Sequence, residues 1–231
     1  MEIKKDWNIP ITVETLVKWG NPRRSISALP TATLLAYERA VAMGADLARP
    51  AAIYKDVKIL ENLPDKVTVE EGVTFKSPHL ASLLDGAERL VVMCRTIGPD
   101  LENAVTSLQD KGDVATAFAL DLYGSVAVSL LGRNVSSFLQ ERARRDGFET
   151  TVHMSPGQLD WSVRDQVGIF RLLNPEAIGV VLTPSFMMKP VKSSTAVFGY
   201  GPAEKIKKGA LACERCPKRH HCTFRGNADE E

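Results

Sequence analysis

Residues 153–173 read HMSPGQLDWSVRDQVGIFRLL and carry the strongest indication of the fold. This stretch continues from a short apolar segment through a turn of small and polar residues into a run with helical spacing. In the turn, Pro156 stiffens the backbone and Gly157 lets another group approach it closely. We therefore predict a sharp turn followed by a helix over residues 162–173. Most Pro-Gly turns are only turns, and Trp161 is equally open to being a core residue.

The stretch that follows, AIGVVLTPSFMMKPVKSSTAVFGYG at 177–201, contains two apolar runs separated by a turn. It predicts one strand over residues 177–183 and another over 193–199. Two methionines and an aromatic residue follow the turn and form a soft, adaptable apolar surface suited to a large flat cofactor or a partner. Methionines at this density more often belong to the core. The three residues are Phe186, Met187 and Met188.

The upstream half predicts a mixture of helices and strands. Apolar and polar residues alternate over residues 66–76, with an interruption at Glu70-Glu71-Gly72, as in a sheet that has one face in water. Asp113 is placed to cap the longest helix, which extends to about Arg145. Further predicted helices cover 12–19, 31–50, 79–84 and 100–111, and further strands cover 51–60, 88–97 and 148–153.

Strands and helices alternate irregularly in this pattern, with long connections, and the strands are not uniformly apolar. We therefore predict an α+β fold, in which a mainly antiparallel curved sheet packs with helices including one long helix, over a doubly wound fold.

Small and polar residues repeat along the predicted long helix. Asp121, Ser125 and Ser129 follow one another at four-residue spacing, with glycines and alanines between them. Such a stripe lets another backbone approach closely, and tight packing against the sheet is the favoured interpretation. A stripe that faces a ligand is the alternative.

Composition limits the classes of function. The chain has 231 residues, 44% hydrophobic and 25% charged, with a formal net charge of +1. No overall field attracts nucleic acid or an anionic membrane, and no aromatic-rich basic stripe is present. The sequence shows no secretory signal and no apolar run of membrane-spanning length. We expect a cytoplasmic protein that binds neither nucleic acid nor membrane.

The end of the chain, LACERCPKRHHCTFRGNADEE at 211–231, concentrates thiols. In a reduced compartment such a cluster indicates a metal centre more than disulfides. A C-x2-C step brings two thiolates to one centre, and the five-residue spacer returns a third. The predicted ligands of an iron–sulfur cluster or of zinc are Cys213, Cys216 and Cys222.

Four ligands are normal for such a centre, so one is missing from the cysteine cluster. Within the chain, Cys94, His220 and His221 are candidates. Cys94 follows an apolar run, and a buried small hydrophobic residue is the commoner role of a lone cysteine. The two histidines are alternatively surface residues of a basic patch.

The stretches around the turn and the methionine pair carry a family resemblance. SPG, then a helix with DQ and IF-x-LL, then IGV-x-LT-x-SF-x-M-x-P resembles the activation domain of cobalamin-dependent methionine synthase, and more closely the small stand-alone proteins of that family. The upstream pieces CRTIGPDLE and ALDLYGSVAV fit the same pattern. The resemblance spans about 10–202 and is strongest over 153–202, which predicts an activation-like domain at 1–202 and a separate metal-binding tail at 203–231.

The resemblance implies a function. Domains of this family bind S-adenosylmethionine and present its methyl group to a corrinoid whose cobalt has been oxidised to cob(II)alamin; reactivation takes one electron and one methyl group. The implied partner is a separately encoded corrinoid protein or cobalamin-dependent methyltransferase, which brings the cobalamin. The chain would act enzymatically only together with it. The implied corrinoid-facing residues are Phe186, Met187 and Met188.

The resemblance also assigns the S-adenosylmethionine-binding turn. The family turn has the form R-x-x-P-G-Y, and here the arginine and the tyrosine are replaced by His153 and Gln158. A neutral histidine is a poorer carboxylate ligand than a guanidinium. Arg95 and Arg164 are candidates for binding the carboxylate in place of the missing arginine. The implied binding residues are His153, Ser155, Pro156, Gly157 and Gln158.

Three functions remain open at this point. The first is a corrinoid-reactivation factor with S-adenosylmethionine as methyl donor and a cluster in the tail as electron relay, fed by a further electron donor. The second is a docking or redox partner of a corrinoid protein that does not bind S-adenosylmethionine, which the altered turn favours. The third is an interaction module whose tail is folded by zinc.

Overall fold

The computed structural model describes residues 1–20 and 24–206. The cysteine-rich tail, with the predicted ligands Cys213, Cys216, Cys222, His220 and His221, lies outside the described residues.

Six α-helices are formed in the described part of the chain. The longest begins after Asp113, whose carboxylate accepts a hydrogen bond from the backbone N–H of Thr116 at 3.2 Å. Three arginines in its last turn suit the negative end of the helix dipole, and Gly147, at φ +83°, follows the helix. The helices are α1 Val13–Gly20, α2 Thr31–Leu47, α3 Pro78–Leu83, α4 Asp100–Asp110, α5 Val114–Arg145 and α6 Gln166–Leu173.

The strands form one antiparallel sheet and a separate hairpin, which confirms the α+β class and the antiparallel pairing. The sheet order is β4-β3-β2-β5-β9-β6, with β1 paired to β2, and within the described residues β7 pairs only with β8. The strands are β1 Glu2–Lys4, β2 Ala51–Leu63, β3 Lys66–Val69, β4 Val73–Lys76, β5 Arg89–Thr96, β6 Phe148–Thr150, β7 Val181–Leu182, β8 Met188–Lys189 and β9 Ser193–Pro202.

The sheet separates two hydrophobic cores. One face packs against α1, α2, α4 and α5, and the other packs against α3 and α6. Strand β5 supplies both, because successive side chains of a strand point to opposite faces. Val91 and Met93 enter the first core, whereas Val92 and Cys94 enter the second.

Helix α5 is long and apolar enough to cross a membrane by length and composition alone, which the sequence prediction overlooked. Half of its most apolar window is buried within the fold. Its contacts with α2 require a glycine, since a Cβ at Gly44 would lie 2.5 Å from the ring of Tyr123. The packing explains the apolar character of α5 as that of a core helix.

Two local predictions were wrong. The strand predicted over 177–183 is reduced to the two-residue strand β7, because residues 177 and 178 belong to the 3₁₀ turn Pro175–Ile178 and Gly179 follows at φ +76°. Pro175 begins this turn, and Gly179, which has a left-handed backbone conformation, ends it. The apolar residues that follow therefore do not form one continuous strand. No strand was predicted before residue 51, whereas residues Glu2–Lys4 form β1, whose partner β2 lies some fifty residues away in sequence.

Candidate functional site

The predicted binding turn lies at the edge of the sheet. Met154 forms an antiparallel bridge with Val197 of β9, and its side chain enters the second core. The hydroxyl of Ser155 donates a hydrogen bond to the carbonyl oxygen of Thr195 at 2.7 Å. The turn therefore continues the sheet beyond β6 and is fixed to β9.

The turn satisfies much of its own hydrogen bonding. The N–H of Ser155 donates to the side-chain oxygen of Gln158 at 2.9 Å, and the N–H of Gln158 donates to the carbonyl of Ser155 at 3.1 Å. The N–H of Gly157, at φ +92°, donates to the carbonyl of Trp161 at 2.7 Å. These three backbone donors are therefore not spare for a ligand. Pro156 is buried, and His153 is partly exposed just before the bridge.

Trp161 anchors the turn to the second core. It is 1% exposed, and its ring meets that of Phe75 edge-on with 5.5 Å between centroids. Its indole N–H donates to the carboxylate of Asp165 at 2.9 Å, and this carboxylate also accepts from the N–H of Lys76 at 3.1 Å. The core interpretation of Trp161 is confirmed.

Asp160 ties the turn to α3. Its carboxylate accepts a hydrogen bond from the hydroxyl of Ser77 at 2.6 Å and contacts Nδ1 of His79 at 2.9 Å. Ser77 in turn caps α3 by accepting from the N–H of Leu80 at 3.0 Å. Partial burial acts to raise the pKa of Asp160, but hydrogen bonds from Ser77 and His79 outweigh it and hold that pKa below its ordinary value.

The β7–β8 hairpin presents the three predicted corrinoid-facing residues unequally. Met187 is 61% exposed at the tip, whereas Met188 is partly buried against the second core. Phe186, at φ +63°, lies under the guanidinium of Arg164, 5.4 Å from its ring centroid. Arg164 follows the turn within the 3₁₀ segment Val163–Asp165, so this contact brings the hairpin next to the turn.

The polar stripe on α5 holds a lysine. The ammonium of Lys192 lies 2.8 Å from the carboxylate of Asp121 and donates to the hydroxyl of Ser125 at 2.9 Å. The hydroxyl of Ser129 donates to the carbonyl of Ser125 at 2.9 Å. These contacts pack the segment before β9 against the helix and support the packing interpretation of the stripe.

Arg95 is the least expected residue near the site. Its guanidinium is wedged against α5, because a Cβ at Gly132 would lie 2.6 Å from Nε and Nη2. Nε and Nη1 are shielded from solvent and have no hydrogen-bond partner among the described residues. Burial lowers the pKa of Arg95 to about 10, so the group stays charged at neutral pH. The sequence signal that singles out Arg95 is its charge inside the otherwise apolar run LVVMCRTIG.

Cys94 occupies the position of a small hydrophobic residue. It is fully buried in the second core, and burial raises the pKa of its thiol to about 12. Metals bind the thiolate, which this environment disfavours. Within residues 1–20 and 24–206, no three His, Cys, Asp or Glu side chains group as a metal site.

A polar cavity of about 230 Å³ lies near the C-terminal end of α5, between Tyr54, Arg142 and Tyr200. Two polar pairs line it, as Arg142 donates to Glu2 at 2.6 Å and Tyr200 donates to Asp56 at 2.9 Å. The hydrogen bond from Arg142 lowers the pKa of Glu2. The pair of Arg142 and Glu2 ties β1 to the end of α5.

The fold of the chain matches that of a solved structure, "Crystal Structure of the MetH Reactivation Domain bound to AdoHcy". The two structures superpose with a TM-score of 0.57 over 92% of this chain and 81% of the other, at 13% sequence identity. The chain has the fold of the MetH reactivation domain. MetH is the cobalamin-dependent methionine synthase, so the fold expected from the resemblance is confirmed.

No protein-family model matches the sequence, and no curated protein matches it. At 13% identity, the likeness to the MetH reactivation domain is one of fold. Any functional argument must therefore weigh the residues of this chain beside the shared fold.

Proposed function

We propose that the protein is a cytoplasmic reactivation partner of a separately encoded corrinoid protein or methyltransferase, supporting reductive methylation of cob(II)alamin with S-adenosylmethionine as methyl donor. The observation that carries this proposal is the fold shared with a MetH reactivation domain that was solved with AdoHcy bound. AdoHcy is the product that remains when S-adenosylmethionine has donated its methyl group.

The arrangement of the two sequence stretches supports the proposal. The turn over residues 153–158 and the hairpin tip are joined through the contact between Arg164 and Phe186. Apolar side chains on the segments that make this contact are exposed, and such a surface suits a flat macrocycle or the protein that carries it. They are Val163 next to Arg164, Val167 in the first turn of α6, Val181 of β7 and Met187 next to Phe186.

In the proposed reaction, an external one-electron donor would reduce the partner's cob(II)alamin to cob(I)alamin. The cobalt would then supply the electron pair for the bond to the methyl carbon as the carbon–sulfur bond breaks, and AdoHcy would leave. The role of this chain is to hold the methyl donor at the sheet edge and to dock the corrinoid against the hairpin.

The proposal is tested with the full chain and a corrinoid protein loaded with cob(II)alamin. Mixing should perturb the visible cobalt bands, and adding S-adenosylmethionine with a chemical reductant should yield the methylated corrinoid and an equal amount of AdoHcy. Samples that lack the chain provide the baseline. If neither complex formation nor any change of the cobalt bands is detected, the proposed function is wrong.

The turn itself favours a second candidate function, a docking or redox partner that does not bind S-adenosylmethionine. His153 and Gln158 replace the arginine and tyrosine of the family turn, and Gln158 occupies the N–H of Ser155. Titration calorimetry with S-adenosylmethionine and with AdoHcy separates the candidates. Heat of binding and a rise in thermal stability support the methyl donor; their absence, with docking retained, supports this alternative.

The tail adds a proposal that rests on sequence. Cys213, Cys216 and Cys222 bind an iron–sulfur cluster that relays electrons to the corrinoid, with His220 or His221 as a candidate fourth ligand. Anaerobically purified protein should be brown and contain several irons per chain. Colourless protein with one zinc per chain would reject the relay and support the zinc-folded interaction module.

A further inference from the structure

The buried guanidinium of Arg95 lacks the partner that such a group normally has. Nε and Nη1 are inaccessible to solvent without a hydrogen bond to any residue in the described part of the chain. Burying a charge in this way is costly, and an apolar side chain of similar size would be cheaper in an apolar strand. A bound anion that pairs with the guanidinium would account for the burial of this charge.

The fold makes room for this guanidinium. Gly132 is the residue of α5 that faces it, and any side chain there would collide with it. Arg95 as a whole retains partial exposure, so the side chain is not sealed within the core. Lys192, whose side chain packs on the same helix, is already paired with Asp121, whereas Nε and Nη1 of Arg95 have no hydrogen-bond partner among the described residues.

The register of the sheet places Arg95 close to the turn. Arg95 is opposite Ser194 of β9, and Ser155 is bound to the next residue, Thr195, from the other side of that strand. Two strand spacings, about 10 Å, therefore separate the backbones of Arg95 and Ser155. Ser194 lies between them and is partly exposed. A ligand of amino-acid size bridges such a gap.

We propose that Arg95 binds the amino-acid carboxylate of S-adenosylmethionine held at the turn. This inference rests on the proposed function and deepens it. A guanidinium offers the carboxylate a planar pair of donors that His153 lacks. The backbone donors of Ser155, Gly157 and Gln158 are engaged within the turn. In this arrangement Arg95, on the neighbouring strand β5, binds the carboxylate on the face of the sheet that packs against α5.

The test compares two ligands and two variants by titration calorimetry. AdoHcy carries the carboxylate, whereas 5′-methylthioadenosine keeps the adenosine and the sulfur but lacks the amino-acid end. The variant is Arg95→Gln and its matched control is Arg89→Gln, on the same strand and face, about 20 Å away. The wild-type protein and the control should prefer AdoHcy, and Arg95→Gln should bind AdoHcy about tenfold to a hundredfold more weakly.

The decisive readout is selectivity. In Arg95→Gln, the affinity for 5′-methylthioadenosine should stay within about twofold of wild type, so that the preference for AdoHcy disappears. Equal losses for both ligands, or no loss for AdoHcy, would overturn the assignment of Arg95 while leaving the methyl donor intact. If the wild-type protein binds neither ligand, both the assignment and the proposed use of S-adenosylmethionine are wrong.

A second variant keeps the test valid if Arg95→Gln does not fold. Arg95→Lys retains the charge but not the planar pair of donors, and it should reduce the preference for AdoHcy in part. An unchanged preference in Arg95→Lys would contradict bidentate binding of the carboxylate. Thermal melting without ligand should show Arg95→Gln at least as stable as wild type, because the uncompensated charge is gone.

Discussion

The guanidinium of Arg164 lies 5.4 Å from the ring centroid of Phe186. This cation–π contact joins two segments that are separated by more than twenty residues in sequence, the 3₁₀ segment after the turn and the tip of the hairpin. It places the exposed side chain of Met187 beside the turn, on the surface that the proposed corrinoid protein contacts.

Replacing Met187 should weaken docking without affecting the fold. Met187→Asp places a charge at the apolar tip, and we expect about tenfold weaker binding of a cob(II)alamin-loaded corrinoid protein, measured from the cobalt absorbance. The free energy of unfolding should change by less than about 0.5 kcal/mol, since the side chain is 61% exposed. The control is Phe118→Asp, an equally exposed apolar residue on α5. Equal losses in both variants would refute the assigned surface.

Gly44→Ala should destabilise the contact between α2 and α5. The added Cβ would lie 2.5 Å from the ring of Tyr123, and overpacking of this kind costs about 1–3 kcal/mol, partly offset by the better helix propensity of alanine. Urea unfolding measures the difference. Ala45→Ser, at an exposed neighbouring position, is the control. Combining Gly44→Ala with Tyr123→Leu should cost less than the sum of the single changes, and strict additivity would argue against the collision.

Asp160 should contribute a pH-dependent part of stability. Because its pKa is lower in the folded protein than the ordinary value of 3.8, the contribution is present above that value and is lost as the pH falls through the folded pKa. The free energy of unfolding of Asp160→Asn should therefore fall less steeply than that of wild type at pH values below about 4. If the free energies of unfolding of the two proteins fall in parallel as the pH is lowered, Ser77 and His79 do not stabilise the carboxylate.

Cys94 and the tail cysteines should respond differently to substitution. Cys216→Ser should lower the bound metal per chain, measured by elemental analysis, because it removes a predicted thiolate ligand. Cys94→Ala should leave the metal content unchanged, since that thiol is buried in the core and its pKa is raised to about 12. A loss of metal in Cys94→Ala that matches the loss in Cys216→Ser would restore Cys94 as the fourth ligand.

Local interactions made the helices predictable. The cap at Asp113 marks the start of α5, and the basic last turn and the following glycine mark its end. These signals lie within or next to the helix itself, so its limits could be predicted. The same holds for the strands around the 3₁₀ turn Glu70–Gly72, where polar and apolar residues alternate. Strand β1 and the segment after Pro175 were not predictable, because one depends on a distant partner and the other is a short apolar run that also fits a turn.

The class of fold, the long helix and the position of the turn at residues 153–158 follow from patterns among residues that are close in the chain. Three features follow only from the packing of distant segments: Met187 is exposed while Met188 is packed, Gln158 binds the backbone of the turn, and the guanidinium of Arg95 lies against Gly132. The burial and pairing of a side chain depend on which distant segments meet around it, and no local pattern records that meeting.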